Sequence, residues 1–166
     1  FSRAPIDNDI GASQADNPDP YAWQARWRLA GIFDFEHRCL GIRVDPEKGT
    51  IEVDHGYYHE NKLQIRTCWQ HFFSDEGKVS ISISVEVDSS MPPIPRVGAC
   101  LHLADNPKEV SWFGRGPHEN YPDRLGSADI GHWQQAIDQM HTNYIFPSEN
   151  GLRCDVKELL LADIRV

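Results

Sequence analysis

The stretch Lys78-Val79-Ser80-Ile81-Ser82-Ile83-Ser84-Val85-Glu86-Val87-Asp88 decides the fold class. Val79, Ile81, Ile83, Val85 and Val87 fall on one side of an extended chain, and Ser80, Ser82, Ser84 and Glu86 on the other. A helix cannot segregate residues at a period of two, so the stretch predicts a strand with one packed and one wet face. The same alternation recurs upstream in Leu40, Ile42 and Val44, in Ile51 and Val53, and in Leu63, Ile65, Thr67 and Trp69. Between these runs stand the turn-formers Pro46-Glu47-Lys48-Gly49 and Ser74-Asp75-Glu76-Gly77. Connections that short make consecutive strands antiparallel neighbours, so Cys39 to Asp88 reads as a four-stranded meander. Pro92, Pro93 and Pro95 break the ladder, and further strands are expected near Arg96–Ala104 and Glu109–Phe113.

One helix is predicted over Pro20–Ala30. Asp19 suits the cap, Pro20 the first helical position and Gly31 the stop, while Trp23, Trp27 and Ala30 share a face that should pack on the sheet edge. Ser127–His141 fits a short helix and an irregular connection equally well. The class is mainly β.

The chain has 166 residues, 40% hydrophobic and 25% charged, which fits one domain spanning 1–166 with a core that needs no disulfide. Its 25 acids against 16 bases leave a net charge of -9, the wrong sign for gripping a phosphate backbone, so no nucleic-acid partner is expected. No apolar run reaches the ~18–20 residues of a membrane helix, so no membrane partner is expected either. Cys39, Cys68, Cys100 and Cys154 are scattered without a CxxC pair and are expected to be buried free thiols. With no Asn-x-Ser/Thr site, they favour a cytoplasmic home over a periplasmic one. The chain starts at Phe1 without a Met and stops within the apolar run Leu159–Ile164. The expectation is a piece cut from a longer sandwich, with unpaired strand edge at that run and a tendency to self-associate.

Three polar clusters lie outside the alternating runs: Arg3 to Gly11, Gly114 to Arg124, and Phe146 to Arg153. Each mixes carboxylates, amides and Arg with Gly or Pro. Such forks suit sugar hydroxyls, and they equally suit networks that satisfy one another and hold irregular loops in place. The candidate residues are Arg3, Asp7, Asn8, Asp9 and Gly11 in the first cluster; His118, Glu119, Asn120, Asp123 and Arg124 in the second; and Glu149, Asn150 and Arg153 in the third. Other chemistries fail on spacing. Asp7-Asn8-Asp9-Ile10-Gly11 opens like a calcium loop but has Ile10 or Gly11 where the fifth ligand belongs and no distal Glu. His55 and His59 are four apart, as on a metal-binding helix, but the local period is two and Gly56 interrupts it, so a solvated hairpin tip is expected. Gly114-Arg115-Gly116 lacks the third glycine of a dinucleotide fingerprint. Glu119, Asp123 and Glu149 would suffice in number for a glycosidase pair, yet residue types place no two of them across a cleft.

Read whole, three segments carry a resemblance: Phe1-Ser2-Arg3-Ala4-Pro5-Ile6-Asp7-Asn8-Asp9-Ile10-Gly11, Trp112-Phe113-Gly114-Arg115-Gly116-Pro117-His118-Glu119-Asn120-Tyr121-Pro122-Asp123-Arg124, and Tyr144-Ile145-Phe146-Pro147-Ser148-Glu149-Asn150-Gly151-Leu152-Arg153-Cys154. In that order, and with Ala22-Trp23 and Arg26-Trp27 between, the chain resembles the C-terminal domain of large bacterial lactose-cleaving β-galactosidases of the glycoside hydrolase family 2 type. The resemblance implies a galactose-mutarotase-like antiparallel β supersandwich, truncated at its C-terminus. In such enzymes the catalytic glutamates and the magnesium and sodium ligands belong to a preceding (β/α)₈ barrel. It therefore implies no catalytic residue, no metal ligand and no cofactor here, and an inactive fragment of a retaining β-galactosidase. It further implies, as partners, the parent's other domains, a galactoside substrate reached through the parent, and copies of the subunit in a homo-oligomer. Arg3 to Gly11 and the loop after it would sit beside the barrel mouth, with Gly11 as the hinge of a mobile loop. The alternatives are a stand-alone sugar mutarotase, with His118 and Glu149 as acid and base, and a carbohydrate-binding module.

Overall fold

The computed structural model describes residues 1–14, 16–103, 107–161 and the backbone of 164 and 165. The chain divides into two compact units, Phe1–Pro5 with Asp9–Gly98, and Ile6–Asn8 with Ala99–Val166. Each unit contributes one four-stranded antiparallel sheet, so the mainly β reading holds and the strand content fits that of a sandwich protein.

In the first unit the meander is present as expected: β1 (Glu36–Asp45), β2 (Thr50–His59), β3 (Lys62–Phe73) and β4 (Val79–Val87), in that spatial order. Turn chemistry sets the register. Gly49 at φ +62 and Gly77 at φ +78 close two of the hairpins in the left-handed region that glycine enters without a steric penalty. The third turns on Glu60 and Asn61, both at positive φ, the two-residue geometry whose twist matches that of the strands it joins. The resulting register aligns Ile83 with Trp69, Trp69 with Val53, and Val53 with Ile42, so an apolar row crosses all four strands on one face.

That face is only partly covered. Ile65 and Thr67 in mid-β3 are buried, and Tyr57, opposite Ile65, packs edge-on against Phe1 and Phe35. Towards the Pro46–Gly49 and Ser74–Gly77 turns the same face stays open, with Ile42 63% and Ile81 45% exposed. The expectation that Val79 to Val87 present a packed side is corrected accordingly. The helix is shorter than its sequence signals. A single four-residue turn, α1 (Asp7–Ile10), precedes α2 (Trp23–Leu29). Asp19 makes no cap to α2; its carboxylate accepts the Tyr21 N–H instead, and Ala22 occupies the capping position. Gly31 at φ +72 ends the element as expected, and buried Trp27 donates its indole N–H to the Pro93 carbonyl at 2.9 Å.

The second unit holds β5 (Glu109–Gly116), β6 (Asp129–Ala136), β7 (Glu158–Leu161) and β8 (Ile164–Arg165), ordered β6-β5-β7-β8. Arg96–Leu103 is irregular rather than a strand, as three prolines just upstream would favour; Ala104 lies outside the described residues. The ambiguous stretch Ser127–His141 contains β6 and a short 3₁₀ turn over Ile137–Gln139. β7 has a partner on both sides, β5 and β8, where an unpaired edge was expected. The cysteines are unpaired but not buried: Cys39 and Cys100 are exposed, Cys68 and Cys154 half-buried.

Candidate functional site

Strand order decides which polar clusters meet. β5 is paired with β6 on one side and β7 on the other, so the β5–β6 connection, carrying Pro117 to Arg124, leaves the end of β5 beside which the β6–β7 connection, carrying Phe146 to Arg153, runs into β7. They are joined by main-chain bonds from Arg115 N–H to the Cys154 carbonyl and from Asn120 N–H to the Leu152 carbonyl.

Asn120, fully buried, is the centre of this junction. Its amide donates to the His118 carbonyl at 3.1 Å and accepts the Cys154 N–H at 2.8 Å, so one buried side chain bridges the backbones of the two connections. Glu119 closes the next layer. One carboxylate oxygen accepts the Gly151 N–H at 2.9 Å, and the other takes the Arg124 guanidinium at 3.3 Å and the Tyr144 hydroxyl. Arg124 also lies over the Tyr121 ring at 4.3 Å. Arg153 sits over the Trp112 ring and donates to the Gly151 carbonyl and to Gln135. Burial pulls its guanidinium below the usual arginine range, against the opposing pull of Glu119 and Tyr121. Burial likewise pushes the Tyr121 phenol up.

The remaining candidates are placed as follows. Asn150 clasps Thr142, accepting its N–H and donating to its carbonyl. His118 is exposed and shares its Nε2 with Ser127 Oγ at 3.2 Å, Asp123 is exposed, and Glu149 is half-buried. Asp7 and Asn8 are exposed, and Asp7 donates its N–H to the Pro147 carbonyl at 3.0 Å. In the first unit Arg3 grips buried Asp9 with both terminal nitrogens, at 2.6 and 3.1 Å, beneath the Trp27 ring. Gly11, at φ +63, follows directly, and a Cβ there would come within 3.1 Å of the Asp19 carboxylate.

Sequence reading missed three structural residues. Arg115, read only as part of a glycine-rich loop, ties the β5 end to Asp155 at 2.6 Å and to the Leu125 and Ala128 carbonyls. Gly114 and Gly116 belong to β5 itself. A Cβ at Gly114 would strike the Val156 backbone at 2.8 Å, and one at Gly116 the Trp133 and Trp112 rings at 2.7 and 2.9 Å. The indoles use that space: Trp112 donates to the Arg115 carbonyl and Trp133 to the Gly114 carbonyl. The Gly-x-Gly signal thus reports close backbone approach at Gly114 and tryptophan packing at Gly116. Among the described residues no three His, Cys, Asp or Glu side chains converge as a metal cage would require.

These loops are therefore braced by their own polar groups, with Glu119, Asn120, Arg124 and Arg153 all engaged within one junction. Curated relatives over the same stretch are named Beta-galactosidase. The chain is 51% identical to that of Aeromonas hydrophila over 170 residues and 49% identical to that of Psychromonas ingrahamii over 168, covering all of this chain and 17% and 16% of theirs. A third, from Vibrio cholerae, is 48% identical over 163 residues, 96% of this chain and 16% of its own. The chain thus spans about one sixth of the length of these relatives. Matched over residues 1–165 by the model of the beta galactosidase small chain, the braced-loop chain described above belongs to that family.

Proposed function

We propose that this chain is a non-catalytic part of a protein that hydrolyses terminal β-D-galactosides such as lactose with retention, and that it completes the wall of the active site and contributes subunit contacts. The observation that carries this reading is a whole-chain family match within relatives six times as long that are named Beta-galactosidase. The geometry supports it. A glycosidase needs two carboxyl groups free to face the scissile bond, whereas Glu119 accepts from a backbone amide, a guanidinium and a phenol at once. The His118 ring, which a mutarotase would need, is taken by Ser127.

In this reading the acid, the nucleophile, and the magnesium and sodium ligands lie in the parent's barrel, and the parent works in the cytoplasm as a homo-oligomer. The polar segment from Arg3 to Gly11 is the part assigned to the barrel mouth. The Arg3–Asp9 fork holds its start, and Gly11 supplies the left-handed pivot from which the following loop departs.

Two measurements test it. The purified chain should not turn over a chromogenic β-galactoside, and turnover lost on substituting Glu119 or Glu149 would overturn the reading. In the full-length protein Gly11→Ala should change kcat and KM together, because a strained pivot shifts loop closure rather than the chemical step. Unchanged kinetics across several galactosides would remove Gly11 from the site.

A further inference from the structure

Spacing in the sequence couples His55 to His59, but the sheet couples it to a different partner. His37 Nε2 and His55 Nδ1 stand 2.9 Å apart, with ring centroids 4.7 Å apart and planes inclined at 44°. Register produces the pairing. Cys39 lies opposite His55 and His37 opposite Tyr57 on the neighbouring antiparallel strand, so all four share one face and the two histidines are diagonal neighbours. The His37 ring is stacked on Tyr57 at 5.0 Å and 18°, and Tyr57 is itself held edge-on by Phe1 and Phe35. One imidazole is thus fixed by aromatic packing while remaining exposed; the other is half-buried beside it.

Two imidazole nitrogens bound to one ion at about 2.0–2.1 Å and at right angles are roughly 2.9 Å apart, whereas a tetrahedral ion would need them about 3.4 Å apart. We propose that His37 and His55 form a bidentate site on the β1–β2 hairpin for a divalent transition-metal ion of tetragonal preference, the class of Ni²⁺ and Cu²⁺, with water filling the remaining positions. Binding needs no oxidant and no net proton loss. The ring that donates the present N–H···N bond moves its proton to its other nitrogen, so that both facing nitrogens offer lone pairs to the ion. Cys39 is not required, since its Sγ lies towards the Gly41 carbonyl at 3.9 Å.

The test titrates NiCl₂ into the chelator-stripped chain by calorimetry. The expected result is one site whose affinity falls roughly tenfold or more in both His37→Phe and His55→Gln, as a chelate becomes a single ligand. His59→Gln and Cys39→Ser should stay within about twofold of the wild type. His37→Phe keeps a ring on Tyr57 and so preserves the fold. As a readout free of any variant, Ni²⁺ should broaden the imidazole NMR signals of two of the eight histidines first. Equal affinity in His37→Phe, His55→Gln and wild type, an equal loss in His59→Gln or Cys39→Ser, or uniform broadening of all eight signals would each overturn the proposal.

Discussion

The meander β1–β4 and the junction around β5 are built from the same kind of strand and solve opposite problems. On the meander, the face lined by Ile42, Val44, Val79 and Ile81 is apolar and open, while Asp54 on its other face is buried between Arg43 and Arg66. In β5 the alternate residues Val110, Trp112, Gly114 and Gly116 are buried as alternation predicts, and the loops beyond them are bound by side-chain to main-chain hydrogen bonds. Period two therefore states which side chains share a face. Whether that face is covered depends on what else packs there.

If this contrast is right, sensitivity to substitution should be concentrated in the β5 junction. The largest effect is expected from Asn120→Ala, which removes a fully buried amide and its hydrogen bonds to the Cys154 N–H and the His118 carbonyl; about 2–4 kcal/mol should be lost in urea unfolding. Asn120→Asp keeps the acceptor and should lose less. A wild-type midpoint for Asn120→Ala would show that water replaces the amide and that the junction is not its centre.

Next, Gly114→Ala forces a methyl group against the Val156 backbone and should cost about 1–3 kcal/mol, the range for overpacking. Gly126→Ala, with nothing within 4 Å of its added Cβ, should be neutral. Equal melting temperatures for the two variants would mean that the β5 end relaxes freely.

Asp54→Ala probes the meander's own polar core. Removing a buried carboxylate is costly in general, but Arg43 and Arg66 are more than half exposed and can rehydrate, so a loss of about 1 kcal/mol is expected. A loss as large as that of Asn120→Ala would erase the contrast. Arg124→Lys should cost less, roughly 0.5–1 kcal/mol, because the guanidinium that faces Glu119 and Tyr121 is half-exposed and a lysine keeps the charge while losing the fork and the stacking. An effect above that range would place Arg124 in the buried layer with Asn120.

The smallest change in stability is expected on the open face. Ile42→Thr with Ile81→Ser should move the unfolding midpoint by less than about 0.5 kcal/mol while reducing concentration-dependent self-association in sedimentation, since the patch they interrupt is exposed. A strictly monomeric unsubstituted chain, despite that patch, would break this part of the comparison.

Much of this was legible in the residues. The four strands of the meander, two of its turns and the position of Gly31 follow from alternation and from backbone preferences, which act within a few residues. The three polar segments stood out for the same reason, because Gly, Pro, Asn and Arg clusters interrupt a strand pattern wherever they fall. Their partners did not stand out. Asn120 and Leu152, or Glu119 and Gly151, are about thirty residues apart, and only the order β6-β5-β7 brings them together. Nor could Gly114 and Gly116 be read as strand residues, since what requires their missing side chains, the Val156 backbone at Gly114 and the Trp133 indole of the neighbouring strand at Gly116, is distant in the chain.

The sequence by itself determined the four meander strands, two of their turns and the likeness to the family, because these rest on local periodicity and on motifs written in one continuous line. Only the tertiary structure decided which faces are covered, which loops brace each other and that His55 belongs with His37. Burial and hydrogen-bond pairing are properties of segments distant in the chain, and no local preference encodes which of them will meet.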